Sequence, residues 1–345
     1  MWRRRRLWIV LLVAPLLLLA ADTLYWRIAV RNLEAGFTTW ANERRATGWS
    51  EAHGTPIRGG WPLAATLTVP AMSLAGGSSD IPGGLAWSAD SVVLRVALPR
   101  PSLLRIVATG TQRLRLAESP EVSFTADRMD VELPLQSVRV PPFLDVIVEH
   151  VRANTPVGDD ASVDSVRLHL DIRPEAQSGD PALAFALRAV AMTLPSGMAH
   201  PLGPHIASLA VDGALNRPVP LGHTPAERAA AWRDGGGSLE IRHLALVWGP
   251  LDLTGSATLG LDEQLQPMGA ANARVVGYAE TLDSLATHAA ISRSAATAAK
   301  AVLSLLANSP DDGSPPDVEV PLTLRYRTLS MRQVPLVRLP EIEWP

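Results

Sequence analysis

Apolar and polar residues alternate along most of the chain after residue 48. In the stretch 251–261, Leu251, Leu253, Leu259 and Leu261 fall on one face of an extended strand, while Asp, Thr and Ser side chains fall on the other. At about 3.3 Å per residue this stretch would extend about 36 Å, which favours a long, strongly twisted sheet. Further alternating runs are separated by breaks rich in Pro, Gly and Ser, and they lie at residues 63–69, 92–98, 122–124, 166–172 and 322–326. Because no helical pattern separates each pair of runs, we expect antiparallel strands joined by short turns.

Apart from the N-terminal anchor, few segments of the chain show a helical pattern. A helical period covers residues 23–47 and stops at Gly48, a residue suited to a C-terminal cap. The segment Thr224–Glu227 has the form of a capping box and predicts a short helix that ends at about Arg233. The alanine-rich stretch 281–308 predicts either one interrupted helix or two consecutive helices. The predicted fold is therefore mainly β with minor α: long twisted antiparallel sheet or sheets, an N-terminal transmembrane helix before them, and a few helices near the C-terminus.

The N-terminal segment predicts a membrane anchor. Four arginines at residues 3–6 precede an apolar run over 7–21, and a mixed apolar stretch extends the run past Asp22. The extended run supplies the roughly 20 helical residues that a bilayer core requires. An uncleaved anchor is favoured over a cleaved signal peptide, because Leu18 or Leu19 occupies the position where a signal peptidase requires a small residue. The arginines predict a single-pass protein with a cytoplasmic N-terminus and everything after about residue 30 across the membrane, which in a bacterium is the periplasm.

The same patterns divide the chain into four parts. Residues 1–30 form the anchor, 31–47 a juxtamembrane helix, 48–220 a β-rich periplasmic part, and 221–345 a β-then-helix periplasmic part. The glycine run 235–237 is the clearest internal break, but one continuous sheet could join the last two parts. The juxtamembrane helix either continues the anchor as a stalk or folds onto the following strands, and the pattern leaves both arrangements open.

Composition narrows the range of functions. With 345 residues, of which 47% are apolar, the chain can bury a sizeable core. Its formal charge is −3, and without the four N-terminal arginines it becomes −7, so nucleic-acid binding is disfavoured. The chain has no cysteine, which excludes disulfides and thiol catalysis.

The titratable residues form no recognisable catalytic or metal-binding motif. His200 and His205 are the closest pair of histidines, but they lie in a Pro- and Gly-rich loop without a nearby carboxylate. The pairs Asp159–Asp160 and Asp311–Asp312 lack the alternating ligands of a calcium loop and are typical of solvated turns. Lys300 is the only lysine, so a phosphate-binding Gly-Lys-Ser/Thr loop is absent. We therefore expect a protein that is not an enzyme and that has no catalytic residue, metal or cofactor.

Several segments carry a resemblance to a known family. They are Gly48–Trp49, Gly54–Pro62, Trp248–Asp262 and Gln266–Gly269. Together with the anchor, they resemble the domain-of-unknown-function 2125 family of Gram-negative envelope proteins, over nearly the whole chain. The ending 321–335 departs from the family in lacking the Asp-Gly turn expected there. The resemblance implies an inner-membrane protein with a periplasmic β-rich domain and no assigned activity.

A looser similarity is one of architecture. The strand-Gly-strand segment 249–276 is similar to AsmA-like proteins, whose curved sheets are thought to handle lipids or to support outer-membrane assembly.

The function depends on what covers the apolar face of the predicted strand at 251–261. The helices at 281–308 could cover it, a second sheet could face it, or it could line a groove open to an acyl chain. Many long strands and few helices favour some open surface, and Leu251, Leu253, Leu259 and Leu261 are then the residues that face an apolar ligand.

Three functions follow from these alternatives. We expect a non-enzymatic protein of envelope maintenance that binds or transfers phospholipid or another envelope lipid. The alternative is a scaffold for envelope proteins, which would bind them through exposed strand edges. A periplasmic hydrolase is the third hypothesis.

Overall fold

A computed structural model gives the fold of the chain. It describes the backbone of residues 2–344 apart from residues 78–83, 98–99, 118, 136–139, 155–159, 177–179, 196–199, 221–223, 309–314 and 332–333, and the side chains of these residues except 2–13, 15, 160 and 334. The helices of this part of the chain are α1 (Trp2–Ala46), α2 (Pro225–Asp234), α3 (Tyr278–Thr287) and α4 (Arg293–Leu306). Its strands are β1 (Ser50–Ala52), β2 (Ile57–Gly59), β3 (Ala64–Gly76), β4 (Leu85–Ala97), β5 (Arg100–Leu116), β6 (Val122–Thr125), β7 (Arg128–Pro134), β8 (Phe143–Asn154), β9 (Asp160–Ile172), β10 (Leu183–Thr193), β11 (His205–Leu215), β12 (Leu239–Trp248), β13 (Leu251–Leu261), β14 (Pro267–Val276), β15 (Asp317–Arg325), β16 (Thr328–Met331) and β17 (Val334–Arg338).

The strands form one antiparallel sheet of 17 strands. From β3 to β5 and from β8 to β17, each strand pairs with the next one along the chain. Between these two runs, β6 and β7 each pair with both β5 and β8. At the beginning of the sheet, β1 and β2 both pair with β3. The prediction of a mainly β fold with long antiparallel strands is confirmed, and β11 pairs with β12 across the glycine run 235–237, so a single sheet crosses that break.

Strand alternation gives the sheet two faces of different character. One face, which we call the charged face, carries cross-strand ion pairs such as Arg105 with Asp130 and Arg188 with Asp212. Arg188 Nη2 lies 2.7 Å from Asp212 Oδ2. The residues between these positions point to the other side, which we call the apolar face. Opposite charges on neighbouring strands stabilise an antiparallel sheet without requiring a second layer on that side.

Helix α1 packs on the first strands of the sheet. Its side chains Val30 and Leu33 are buried in one cluster with Leu67 and Val69 of β3, both of which have no exposed surface. The helix ends before Gly48, whose φ of 84° lies in the left-handed region, as the sequence predicted. Residues 31–47 therefore fold onto the following strands, which is one of the two arrangements that the pattern left open.

The beginning of α1 is less enclosed. Leu16 to Leu19 are all exposed. Within the part of the chain that the structure describes, no helix is both long enough and apolar enough to cross a membrane. The predicted anchor begins at residues 1–13, whose side chains lie outside the described ones.

The short helices agree with their sequence signals. Thr224 Oγ1 accepts a hydrogen bond from the Glu227 backbone N–H at 3.1 Å, and Glu227 Oε2 accepts one from the Thr224 backbone N–H at 3.2 Å. This capping box begins α2, which ends at Asp234, close to the predicted Arg233. The stretch 281–308 forms two consecutive helices, which was one of its two predicted forms.

Candidate apolar ligand surface

A row of apolar residues crosses the sheet from β3 to β15. Each member lies directly opposite the next one on the neighbouring strand, so backbone register alone aligns them. The row, which we call the central row, consists of Leu67, Leu94, Ile106, Val131, Val146, Leu168, Leu187, Val211, Leu244, Gly255, Ala273 and Val320. With neighbouring strands about 4.8 Å apart, its length along the sheet is on the order of 50 Å.

Two further rows flank the central row on the same face. The first consists of Val148, Val166, Ala189, Leu209, Leu246, Leu253, Val275 and Val318. The second consists of Leu144, Leu170, Phe185, Gly213, Ile241, Ala257, Ala271 and Leu322. None of these residues is charged, so an apolar surface three rows wide continues across strands β8 to β15.

Burial along the central row is uneven. Leu67 and Val320, at its two ends, are buried, whereas Leu168, Leu187 and Val211 in its middle are half-buried. The larger helix contacts lie towards the two ends of the sheet, where α1 contacts β1 and β3, α2 and α3 contact β13, and α4 contacts β15. The middle strands thus keep part of their apolar surface accessible to solvent.

The four leucines predicted from the sequence all lie on β13 and are all half-buried. Leu253 belongs to a flanking row, between Leu246 and Val275, and Leu251 lies opposite Trp248. These two leucines are at one end of β13, and Leu259 and Leu261 are at the other.

Leu259 and Leu261 meet in a cavity of about 440 Å³ between α2 and the sheet. Trp232 of α2, Leu239 of β12 and Trp344 line the same cavity. The Trp232 indole is fixed by its Nε1–H, which donates a hydrogen bond to the Arg217 carbonyl oxygen at 3.2 Å. The structure therefore brings two of the four predicted leucines together at one apolar site, and it places Leu251 and Leu253 away from that site.

A second apolar cavity, of about 430 Å³, lies between α1 and the sheet. Leu33, Phe37 and Trp40 of α1 line it on one side, and Trp87 and Ile106 are among the sheet residues that line the other side. Both cavities fall within the range of about 300–1,000 Å³ that is typical of ligand pockets. Sequence reasoning did not identify this cavity, although the spacing of 33, 37 and 40 places these three side chains on one face of a helix.

The titratable groups with displaced pKa values lie on the charged face. Arg274 donates hydrogen bonds to both carboxylate oxygens of Asp317, from Nε at 2.9 Å and from Nη2 at 3.1 Å, and this pair lowers the pKa of Asp317. Arg188 lowers the pKa of Asp212 in the same way. A hydrogen bond with Asp145 raises the pKa of His169. Each of these shifts results from a hydrogen-bonded pair on neighbouring strands, and none of these residues belongs to the three apolar rows.

The histidines singled out in the sequence have local partners. His200 Nε2 lies 2.6 Å from the Pro195 carbonyl oxygen, and His205 Nδ1 lies 3.2 Å from Thr193 Oγ1. Among the side chains that the structure describes, no three metal-ligating groups come together. Asp159 and the pair Asp311–Asp312 lie outside the described residues, as does the side chain of Asp160.

Comparison with known proteins identifies the family of this chain. The model of a family described as an uncharacterized protein conserved in bacteria (DUF2125) matches residues 26–340. No curated protein matches the chain, and no solved structure matches it. The predicted family resemblance is confirmed over these residues, while the similarity to AsmA-like proteins stays a prediction.

Proposed function

This chain belongs to the DUF2125 family, and on that premise we propose that it is a non-enzymatic, inner-membrane-anchored protein of the periplasm that holds the acyl chains of an envelope lipid against the apolar face of its sheet. The protein would bind the lipid or pass it along the sheet, and thereby serve the maintenance of the cell envelope.

The central row is the observation that carries this proposal. It aligns apolar side chains across β3 to β15, and its middle members Val146, Leu168, Leu187 and Val211 are half-buried. A half-buried apolar surface of this length supports a ligand or partner that would cover its remaining accessible area. Hydrocarbon is a suitable ligand, because each methylene removed from water contributes about 0.8 kcal/mol.

The cavities at the two helix-covered regions fit the same ligand. The cavity between α1 and the sheet, which we call the α1 cavity, and the cavity between α2 and the sheet, which we call the α2 cavity, are both lined mainly by aliphatic and tryptophan side chains. Leu94 and Ile106 belong to the central row and also line the α1 cavity, so the cavity and the row are continuous. An acyl chain on the row could therefore enter the cavity without leaving apolar surroundings.

Photo-crosslinking tests the proposal directly. A photoreactive amino acid is placed at Leu187, on the central row, and in a separate variant at Val190, on the same strand but exposed on the charged face. Full-length protein is reconstituted in vesicles of phosphatidylethanolamine and phosphatidylglycerol that carry a radiolabel, and is then irradiated. We expect labelled lipid on the Leu187 variant and much less on the Val190 variant. Equal labelling of the two variants, or none at position 187, would refute lipid binding on the apolar face.

A second function is supported by the edge of the sheet. Strand β17 pairs with β16 alone among the described strands, and its Leu336 and Val337 side chains are exposed. An open strand edge of this kind can add a strand from another protein. Capture of one envelope protein by a crosslinker at Leu336, together with no lipid on the Leu187 variant, would favour the scaffold function over lipid binding.

A further inference from the structure

Helix α1 is apolar and exposed on all sides before it reaches the sheet. Leu16, Leu17, Leu18 and Leu19 follow one another and are all exposed. Successive helical residues are rotated by about 100°, so these four side chains cover the whole circumference of the helix. A protein partner would cover one side of such a helix, whereas hydrocarbon solvent surrounds it completely.

The turn between β2 and β3 is fixed to α1 just after this apolar stretch. Trp26 Nε1–H donates a hydrogen bond to the Gly59 carbonyl oxygen at 2.9 Å, and Trp61 Nε1–H donates one to Thr23 Oγ1 at 3.3 Å. Gly60 has a φ of 89°, and a Cβ atom there would lie 2.6 Å from the Ala64 carbonyl oxygen, so the turn requires glycine. The turn is therefore held in one position beside the helix.

This turn exposes large apolar side chains. Trp61 and Leu63 lie in the turn and are exposed, with 72% of the Leu63 surface accessible, and Ile57 at the start of β2 is exposed as well. Leu24 and Ile28 of α1 are also exposed. These five residues, which we call the collar, add to the exposed apolar surface that begins at Leu16.

The composition around the collar fits a bilayer surface. Tryptophan is enriched at the boundary between hydrocarbon and headgroups, where its ring is apolar and its N–H can still donate a hydrogen bond. Arg27 lies between the collar residues Leu24 and Ile28 on α1, and Arg31 follows them; both arginines are exposed. Arginine side chains at this level suit the phosphates of anionic lipids. Apolar residues followed by cationic residues along one helix match the order in which a membrane presents its hydrocarbon and its headgroups.

We propose that the collar inserts into the periplasmic leaflet of the inner membrane and holds the α1 end of the sheet at the membrane surface. This inference rests on the proposed membrane anchor and adds a second, peripheral contact that sets the position of the sheet. The α1 cavity, which α1 covers close to the collar, is then placed near the leaflet from which a lipid would come.

Single-cysteine labelling tests the collar, because the chain has no cysteine of its own. The variants Leu63→Cys and Ile57→Cys report on the collar. Leu17→Cys reports on the anchor, and Val190→Cys provides an exposed site on the charged face of β10. Each full-length variant is labelled with an environment-sensitive fluorophore and reconstituted in phosphatidylethanolamine and phosphatidylglycerol vesicles. Lipids with a nitroxide near the headgroup then quench a label at the membrane boundary, and lipids with a nitroxide deep on the acyl chain quench a label in the hydrocarbon core.

We expect loss of emission at positions 57 and 63, and an unquenched label at position 190. Quenching at position 17 without quenching at 57 and 63 would overturn the collar and leave the anchor standing. Emission retained at 17, 57 and 63 together would overturn both the collar and the proposed anchoring. Equal quenching at 63 and 190 would also overturn the collar, because the contact would then lack a defined orientation. The photo-crosslinking at Leu187 is independent of these outcomes.

Discussion

Tyr326 and Arg327 form the turn between β15 and β16 with φ values of 50° and 62°. Two successive residues with positive φ are typical of a type I′ hairpin turn, for which Asn-Gly and Asp-Gly are the preferred sequences. The family resemblance implied an Asp-Gly turn in this region, and the structure retains a two-residue turn of that kind with less suitable residues. The backbone of this hairpin is therefore under local strain.

Relief of this strain should stabilise the protein. Tyr326 is exposed, so Tyr326→Asn removes little packing and introduces a residue that tolerates the left-handed conformation. We expect the free energy of unfolding to rise by about 1 kcal/mol, measured by chemical denaturation. Tyr326→Ala is the matched control, because it removes the same ring and keeps the strain. Equal stability of the two variants would show that the turn conformation is not the cause.

The buried carboxylate of Asp317 predicts a dependence of stability on pH. Its pKa is lowered in the folded state by the hydrogen bonds from Arg274, so the pair contributes stability above the unfolded-state pKa and loses it as the pH falls through the folded-state pKa. The difference in melting temperature between wild type and Asp317→Asn should be largest near neutral pH and should shrink below about pH 4. Arg274→Gln should give the same profile as Asp317→Asn. A difference that stays constant from pH 6 to pH 3 would contradict this assignment.

Local sequence patterns predicted some features at the scale of single residues but not others. The capping box at Thr224 and the helix end at Gly48 were predicted, because a cap depends on a few neighbouring residues. The left-handed Tyr326 could not be predicted, because nothing in its residue type favours that conformation. The partners of Asp317 could not be predicted either, since Arg274 lies on a strand far away in the sequence.

At the scale of elements, strand β12 shows how the apolar face is kept continuous. Its apolar residues Leu239 and Ile241 are followed, out of phase, by Leu244 and Leu246. A register shift between Ile241 and Leu244 adds one residue to β12 relative to both neighbouring strands, as a β-bulge does. The bulge returns both pairs of apolar residues to the same face.

Removal of the bulge should therefore be tolerated. Deletion of Arg242 leaves Ile241 and Leu244 two positions apart, which matches the spacing of Ala257 and Gly255 on β13. We expect this variant to unfold in a single transition with a melting temperature close to that of wild type.

The matched control is deletion of Ser256 in β13. Because side chains alternate with a period of two, this deletion turns the leucines on one side of it towards the charged face. We expect this control to have a much lower melting temperature than wild type, whereas the Arg242 deletion keeps a melting temperature close to that of wild type. Similar losses in both deletions would show that the extra residue of β12 has a structural role of its own.

Some structural elements could be predicted from the sequence, and the way they pack together could not. The strand at 251–261 was predicted with its observed bounds, because its alternation is unbroken. The cavity beneath α1 was not predicted, because it depends on which strands the helix covers. Helical spacing places Leu33, Phe37 and Trp40 on one face, but it does not identify Trp87 and Ile106 as the opposite wall.

At the scale of the whole molecule, pairing register determines the candidate site. The alternation within each strand was visible in the sequence, and so was the expectation of a long antiparallel sheet. The alignment of Leu168 with Leu187 and of Leu187 with Val211 was not, because register between strands depends on turn geometry and bulges. The four leucines predicted on β13 lie on the apolar face of the sheet, while the extent of the apolar surface became apparent only from the fold.

The central claim is that the half-buried middle of this surface holds lipid, and the lipid retained by the purified protein tests it most directly. Wild type, Leu187→Lys and Val190→Lys are extracted as full-length proteins, checked for equal circular dichroism, and examined by native mass spectrometry for bound phospholipid. A lysine at 187 places a charge on the central row, whereas a lysine at 190 adds the same charge to the charged face of the same strand. We predict bound phospholipid in wild type and Val190→Lys and its loss in Leu187→Lys. A wild type without bound lipid, or a Leu187→Lys variant with as much lipid as wild type, would contradict the claim.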